Sequence, residues 1–150
     1  MYIAQKGLVF NKTNQKILTI QYLDAKHNPE KLRGKYGLPG GKMDLGEESE
    51  TTLVREIKEE TGIIVKPILP FYTWMWIYKK NDEDVQIVCT VWLAEYLSGE
   101  IVNLKNENET TIRSEWIDFS NLNINSFVID EQPALEKLKE YMSSNPFKLV

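Results

Sequence analysis

Two β-rich runs constrain this chain more than any other feature. "FYTWMWIYKK" (71–80) and "VQIVCTVWLAEYL" (85–97) are separated only by the turn "NDED". Both are rich in aromatic and β-branched residues, so the pair around this turn predicts a long β-hairpin. A hairpin this apolar needs a sheet partner and a cover. The rest of the chain offers both. "YIAQKGLVF" and "QKILTIQYL" flank "NKTN" near the start and read as a second hairpin or as neighbouring strands. "IIVKPIL" and "EWIDF" are shorter strand candidates, and "NLKNENETTIRS" reads as a polar loop. Helical patterns occupy about 47–61, closed by Gly62, and "DEQPALEKLKEYMSS", with acidic residues and Pro133 at its start. Strands with one central and one final helix predict an α+β protein, a mixed sheet with helices packed on it.

The central helix is poorly designed as a helix. Its last turns, "VREIKEETGI" (54–63), carry Glu56, Glu59 and Glu60. A helix C-terminus is partially negative and favours cations. Glu56 and Glu60 lie four apart, where like charges repel. On a helical wheel the three carboxylates span an arc of about 100° beside the apolar stripe of Leu53, Val54 and Ile57. Arg55 pairs with Glu59 at i, i+4, but Glu56 and Glu60 meet no cation at the helical spacings of their own face. A hard divalent cation such as Mg²⁺ would relieve the repulsion; a solvated charged face is the alternative. The preceding loop, "GLPGGKMDLGEE" (37–48), adds weight to the cation. Its glycines allow backbone oxygens and amides to approach a ligand closely.

The whole chain sets outer limits. It has 150 residues, enough for one domain, here expected over 1–150, and a formal net charge of −4. That charge argues against a grip on polymeric nucleic acid but leaves room for a small phosphorylated substrate with a metal to supply local positive charge. No apolar run approaches a membrane span, and the first residues lack a signal-peptide pattern. One cysteine, Cys89, excludes an intrachain disulfide and a cysteine-rich zinc site. The expected setting is cytoplasmic, with no membrane partner, as a monomer or homodimer.

Loop and helix together carry a recognisable motif. Gly41-x5-Glu47-x7-Arg55-Glu56-Ile57-x-Glu59-Glu60-x-Gly62-Ile63 fits G-x5-E-x7-R-E-U-x-E-E-x-G-U, with U a bulky aliphatic residue, at every specified position. The chain thus resembles the Nudix hydrolases, and the flanking strands and helices look like a Nudix domain. One departure is Thr52, where many members have Ala. The resemblance implies an α/β/α sandwich and a metal-dependent pyrophosphohydrolase that cleaves a nucleoside diphosphate linked to another moiety. The expected substrate is a nucleoside triphosphate, oxidised ones included, cut to monophosphate and pyrophosphate. A nucleotide sugar, ADP-ribose or a dinucleoside polyphosphate is the alternative within the same chemistry, and a non-catalytic nucleotide sensor is the alternative outside it. By the same resemblance Glu56, Glu59, Glu60 and the Gly40 carbonyl hold Mg²⁺, or else Mn²⁺. Arg55 and Glu47 pair to orient the catalytic carboxylates. The general base is Glu56 or a later residue of "NENET", Glu109 in preference to Glu107.

Other features are open. Tyr72, Trp74, Trp76 and Tyr78 share one strand face, where Trp74 or Trp76 stacks a base or packs in the core. Lys42 either touches phosphate or is solvated. His27, the only histidine, sits in the long polar, Gly-rich loop expected from Asp24 to Gly46 and is given no catalytic role. Cys89 alternates with apolar neighbours and reads as core. No proline falls between Phe71 and Lys80, which weakens ADP-ribose; Tyr78 is only slight support for dinucleoside polyphosphates.

Overall fold

The computed structural model describes residues 1–13, 15–25, 29–102, 104–107 and 110–144; His27 and Glu109 lie outside this set, as does the side chain of Glu107. The first predicted pair forms β1 (Tyr2–Asn11) and β2 (Lys16–Ala25), an antiparallel hairpin. It stays zipped only near its turn, where Phe10 faces Ile17 and Asn11 faces Lys16. Beyond that the two strands part. The predicted long loop supplies a short helix, α1 (Pro29–Leu32), and two short strands that fill the parting: β3 (Tyr36–Gly37) on β2 and β4 (Gly40–Lys42) on β1. Next come α2 (Ser49–Thr61), β5 (Ile64–Lys80), β6 (Glu83–Ser98), β7 (Leu104–Glu107), β8 (Thr110–Asp118) and α3 (Gln132–Ser144), with short 3₁₀ turns between β8 and α3.

The main path of the sheet runs β5-β6-β1-β2-β8-β7. β6 pairs with β1 in parallel while β5 pairs with β6 antiparallel, so the sheet is mixed, and the α+β expectation holds. β5 and β6 form the predicted hairpin, closed at Lys80 and Glu83. Three expectations are corrected. "IIVKPIL" is not a separate strand: β5 runs through it, and register shifts at Pro67/Leu69 and Pro70/Tyr72 absorb the prolines, which an edge strand tolerates. The described residues of "NLKNENETTIRS" are not loop but supply β7 and the first half of β8. The central helix starts at Ser49 rather than Glu47, which stays in the loop ahead of it.

Alternation along β1 feeds two cores. Leu8 and Phe10 join Val91, Leu93, Phe127 and the α3 residues Leu135 and Leu138 on one face. Val9 joins Trp92, Leu53 and Ile57 under α2 on the other. Helices therefore cover both faces of the sheet. Gly7 lets α2 lie close, since a Cβ there would come 2.7 Å from Ile57 Cδ1. Among the described residues no helix is long and apolar enough to cross a membrane.

Candidate active site

The site is built where β4 meets α2. Gly40 has φ of 146°, and a Cβ on it would lie 2.1 Å from the Gln5 carbonyl oxygen, so only glycine fits this position against β1. A Cβ on Gly41 would lie 2.3 Å from Glu56 Oε2, so the Glu56 carboxylate rests directly on the bare backbone of β4. One turn later Glu60 accepts the Gly40 N–H at 3.3 Å. Glu60 is buried, at 8% exposure, and is no solvated surface charge. At the far end Gly62 adopts the left-handed conformation with φ of 83° and donates to the Lys58 carbonyl, which closes α2 as expected.

Arg55 organises the remaining carboxylates. Its Nε and Nη2 donate to the two oxygens of Glu47 at 2.6 and 2.8 Å, a bidentate clasp from helix to loop. Nη1 donates to Glu56 at 2.9 Å and Glu59 at 3.2 Å. Nη2 also reaches the Lys42 carbonyl at 3.2 Å. The expected Arg55–Glu47 and Arg55–Glu59 contacts are both present. Glu56, which meets no cation at i±3 or i±4, obtains one from its immediate neighbour instead. These bonds first, and then the Thr52 hydroxyl, pull the Glu47 carboxyl down to about 2. Thr52 thus does more than pack: it is fully buried and donates to Glu47 at 2.5 Å.

The structure gathers Gly40, Glu47, Arg55, Glu56, Glu59 and Glu60 in one place. Among the described residues it does not bring the side chains of Lys42, Trp74 and Trp76 there. The Lys42 ammonium lies 4.3 Å over the Tyr2 ring. Trp74 and Trp76 stack on each other at 6.1 Å and pack on Ala4, Ile87 and Cys89, on the α3 face of the sheet. Tyr72 continues this ladder at 6.2 Å from Trp74. Trp74 also joins the main core, and its indole N–H is buried with no hydrogen-bond partner among the described residues. Cys89 is wholly buried, which pushes its thiol up to about 12 and leaves it an inert core residue.

One cluster escaped the sequence reading. Lys6 on β1 forms an ion pair with Glu131, which is 3% exposed, just before α3. Burial, the largest single influence, lowers the Lys6 pKa, but the attractions of Glu131, Tyr22 and Cys89 and the hydrogen bond to Glu131 together outweigh it and hold the ammonium well above its ordinary value. The Tyr22 phenol beside them is pushed up to about 12 by burial. Lys6 and Glu131 are 125 residues apart, so no spacing could announce them.

As to a metal, among the described residues no three of His, Cys, Asp and Glu converge as a ready cage; Arg55 instead bridges Glu47, Glu56 and Glu59. The donor chemistry nonetheless fits a hard cation. Glu56, Glu59 and Glu60 of α2 and the backbone of β4 offer oxygen donors, and the bare backbone at Gly41 leaves Glu56 room against it.

Known proteins share this fold and sequence pattern. The NUDIX domain model matches residues 3–138. An ADP-ribose pyrophosphatase of Methanocaldococcus jannaschii is 32% identical over 122 residues, which are 80% of this chain and 63% of that protein. An 8-oxo-dGTP diphosphatase of Escherichia coli is 30% identical over 133 residues, 89% of this chain and 92% of that one. The crystal structure of a MutT NUDIX hydrolase from Burkholderia pseudomallei superposes with a TM-score of 0.69 at 28% identity, covering 91% of this chain and 97% of the other. With the family model spanning nearly all of the described fold and the complete motif lying across β4 and α2, this chain belongs to the Nudix hydrolase family.

Proposed function

We propose that the chain is a divalent-metal-dependent pyrophosphohydrolase that cleaves a nucleoside triphosphate, oxidised ones included, to the monophosphate and pyrophosphate. The observation that carries the reading is the contact between β4 and α2: Glu56 lies on Gly41, and Glu60 holds the Gly40 amide. Two carboxylates one helical turn apart are thereby aimed at the same short strand. Glu56, Glu60 and the Gly40 carbonyl would hold Mg²⁺ or Mn²⁺, with Glu59 as a third, more exposed carboxylate. Bound there, the cation supplies positive charge that neutralises diphosphate oxygens and favours loss of a proton from the attacking water. Glu56 accepts that proton, with Glu109 the alternative base. Arg55, clasped by Glu47, fixes the angle of Glu56 and Glu59 through its remaining N–H groups. The orientation matters because small misplacements of catalytic groups are costly in rate. The net charge of −4 favours a small nucleotide over polymeric nucleic acid.

The archaeal relative supports a second substrate for the same chemistry, ADP-ribose. A Mg²⁺-dependent hydrolysis screen with product identification separates the readings. It should include triphosphates, 8-oxo-dGTP, ADP-ribose, nucleotide sugars and dinucleoside polyphosphates. Pyrophosphate plus nucleoside monophosphate as the fastest outcome is expected. Faster release of AMP and ribose 5-phosphate from ADP-ribose would favour the second reading. Binding without turnover across the screen would make the chain a sensor and refute both.

A further inference from the structure

A deeply buried charge pair lies outside the motif. Lys6 and Glu131 meet with side chains only 14% and 3% exposed. The second oxygen of Glu131 accepts the Leu38 N–H at 3.0 Å. The carboxylate also lies flat on Gly37, where a Cβ would come 3.0 Å from Oε2. Stability does not explain such a pair, because apolar replacements of a buried ion pair are often neutral or stabilising. What the pair provides and an apolar contact does not is direction. Glu131 fixes one amide of the segment between β3 and β4 that leads into the site, two residues before Gly40. Lys6 sits opposite Gly40 in the β1–β4 register, and the next residue, Gly7, donates to the Pro39 carbonyl at 2.9 Å. Residues 37–40 are thus held by Glu131 from the α3 side and by β1 from beneath.

We propose that Lys6 and Glu131 are positioning residues, which set where the Gly40 amide and carbonyl lie relative to Glu60. The proposal rests on the reading of the motif carboxylates as a cation site. Four proteins test it: the parent, Lys6→Met, Lys6→Met/Glu131→Leu and Lys6→Met/Glu131→Gln. The single variant strands a buried carboxylate and should melt lower than the parent. The Met/Leu pair should regain a melting temperature within a few degrees of the parent. In that pair the Leu38 and Gly40 amides of metal-free protein should exchange with solvent at least about tenfold faster. Mn²⁺ should bind about tenfold more weakly or worse, as when a supporting residue of a metal site is lost. Its kcat should fall by more than its KM rises. The Met/Gln pair keeps an oxygen acceptor for Leu38 and should regain most of the lost Mn²⁺ affinity and amide protection.

Parental exchange and Mn²⁺ affinity in the Met/Leu pair would overturn the proposal, as would equal losses in the Leu and Gln versions. A parent that binds no Mn²⁺ would instead refute the cation site. In that case amide exchange, which needs no metal, still decides whether the pair positions the strand.

Discussion

Replacing Gly41 with Ala separates the placement of Glu56 from the stability of the fold. The added Cβ would sit 2.3 Å from Glu56 Oε2 and 2.5 Å from its Cδ. Ordinary contact needs about 3.5 Å, so the carboxylate must retreat by about 1 Å. It can do so, because it is the end of a flexible side chain and not backbone. Gly41 has no positive φ, so Ala adds no backbone strain there. The lost freedom of the unfolded chain even favours the variant by about 0.4–1 kcal/mol. The melting temperature should therefore stay within a few degrees of the parent. A displacement of about 1 Å at a catalytic group costs about 100-fold in rate, or about 2.7 kcal/mol. The assay is steady-state kinetics at saturating Mg²⁺ beside a thermal melt of the same preparation. A parental kcat in a folded Gly41→Ala protein would refute the claim that the position of Glu56 matters. The matching Gly40→Ala change should behave oppositely. Its Cβ would strike the Gln5 carbonyl, which cannot step aside, and its φ of 146° is hostile to any side chain, so the fold itself should weaken.

Arg55→Lys keeps the charge and removes the fork that reaches Glu47 with two bonds; kcat should fall more than tenfold with a small change in melting temperature, and near-parental kinetics would make Arg55 an ordinary surface cation. The Glu47 carboxyl titrates at about 2 in the folded chain against an ordinary 4.5, so its stabilising contribution is complete above pH 4.5 and disappears as pH falls through about 2. Urea unfolding across that window should lose stability more steeply in the parent than in Glu47→Gln, and equal slopes would contradict the shift. Trp74→Leu should cost about 2 kcal/mol of stability through lost packing, with KM for nucleotides unchanged; a raised KM at parental stability would assign the ring to substrate instead.

The parts of this fold that could be read from the chain are those specified locally. α2 announced itself through its apolar stripe of Leu53 and Ile57 and through Gly62, which does adopt the left-handed stop. The β5–β6 hairpin followed from two β-rich runs around a short turn. Only the second half of β8 was legible, as "EWIDF"; the first half was hidden because its partner is β2, far away in the chain, and its residues are polar enough to pass for loop. β5 was read as two pieces because Pro67 and Pro70 break a strand in isolation, whereas register shifts on an edge accommodate them. Within the site, residues at motif spacing were legible and those brought in by tertiary folding were not. Thr52 looked like a packing variant until its hydroxyl was seen on Glu47. Lys6 lay in a strand with nothing to mark it, and Glu131 passed for one of several acids at the start of the last helix. The aromatic strand was ambiguous by nature, since stacking on a base and stacking in a core demand the same alternation; the ladder of Tyr72, Trp74 and Trp76 packs on itself and on the core.

The central claim is that Glu56 and Glu60 hold a divalent cation against β4. Titration of Mn²⁺ into metal-free protein, with free Mn²⁺ followed by electron paramagnetic resonance, tests it without any substrate. The parent should bind Mn²⁺ and should release it when Mg²⁺ is added in excess. Glu56→Gln and Glu60→Gln preserve shape and remove one charge each, so both should fold, and each should weaken binding at least about tenfold. Isotherms that superpose on the parent's in both variants would contradict the account, because the cation would then be held elsewhere.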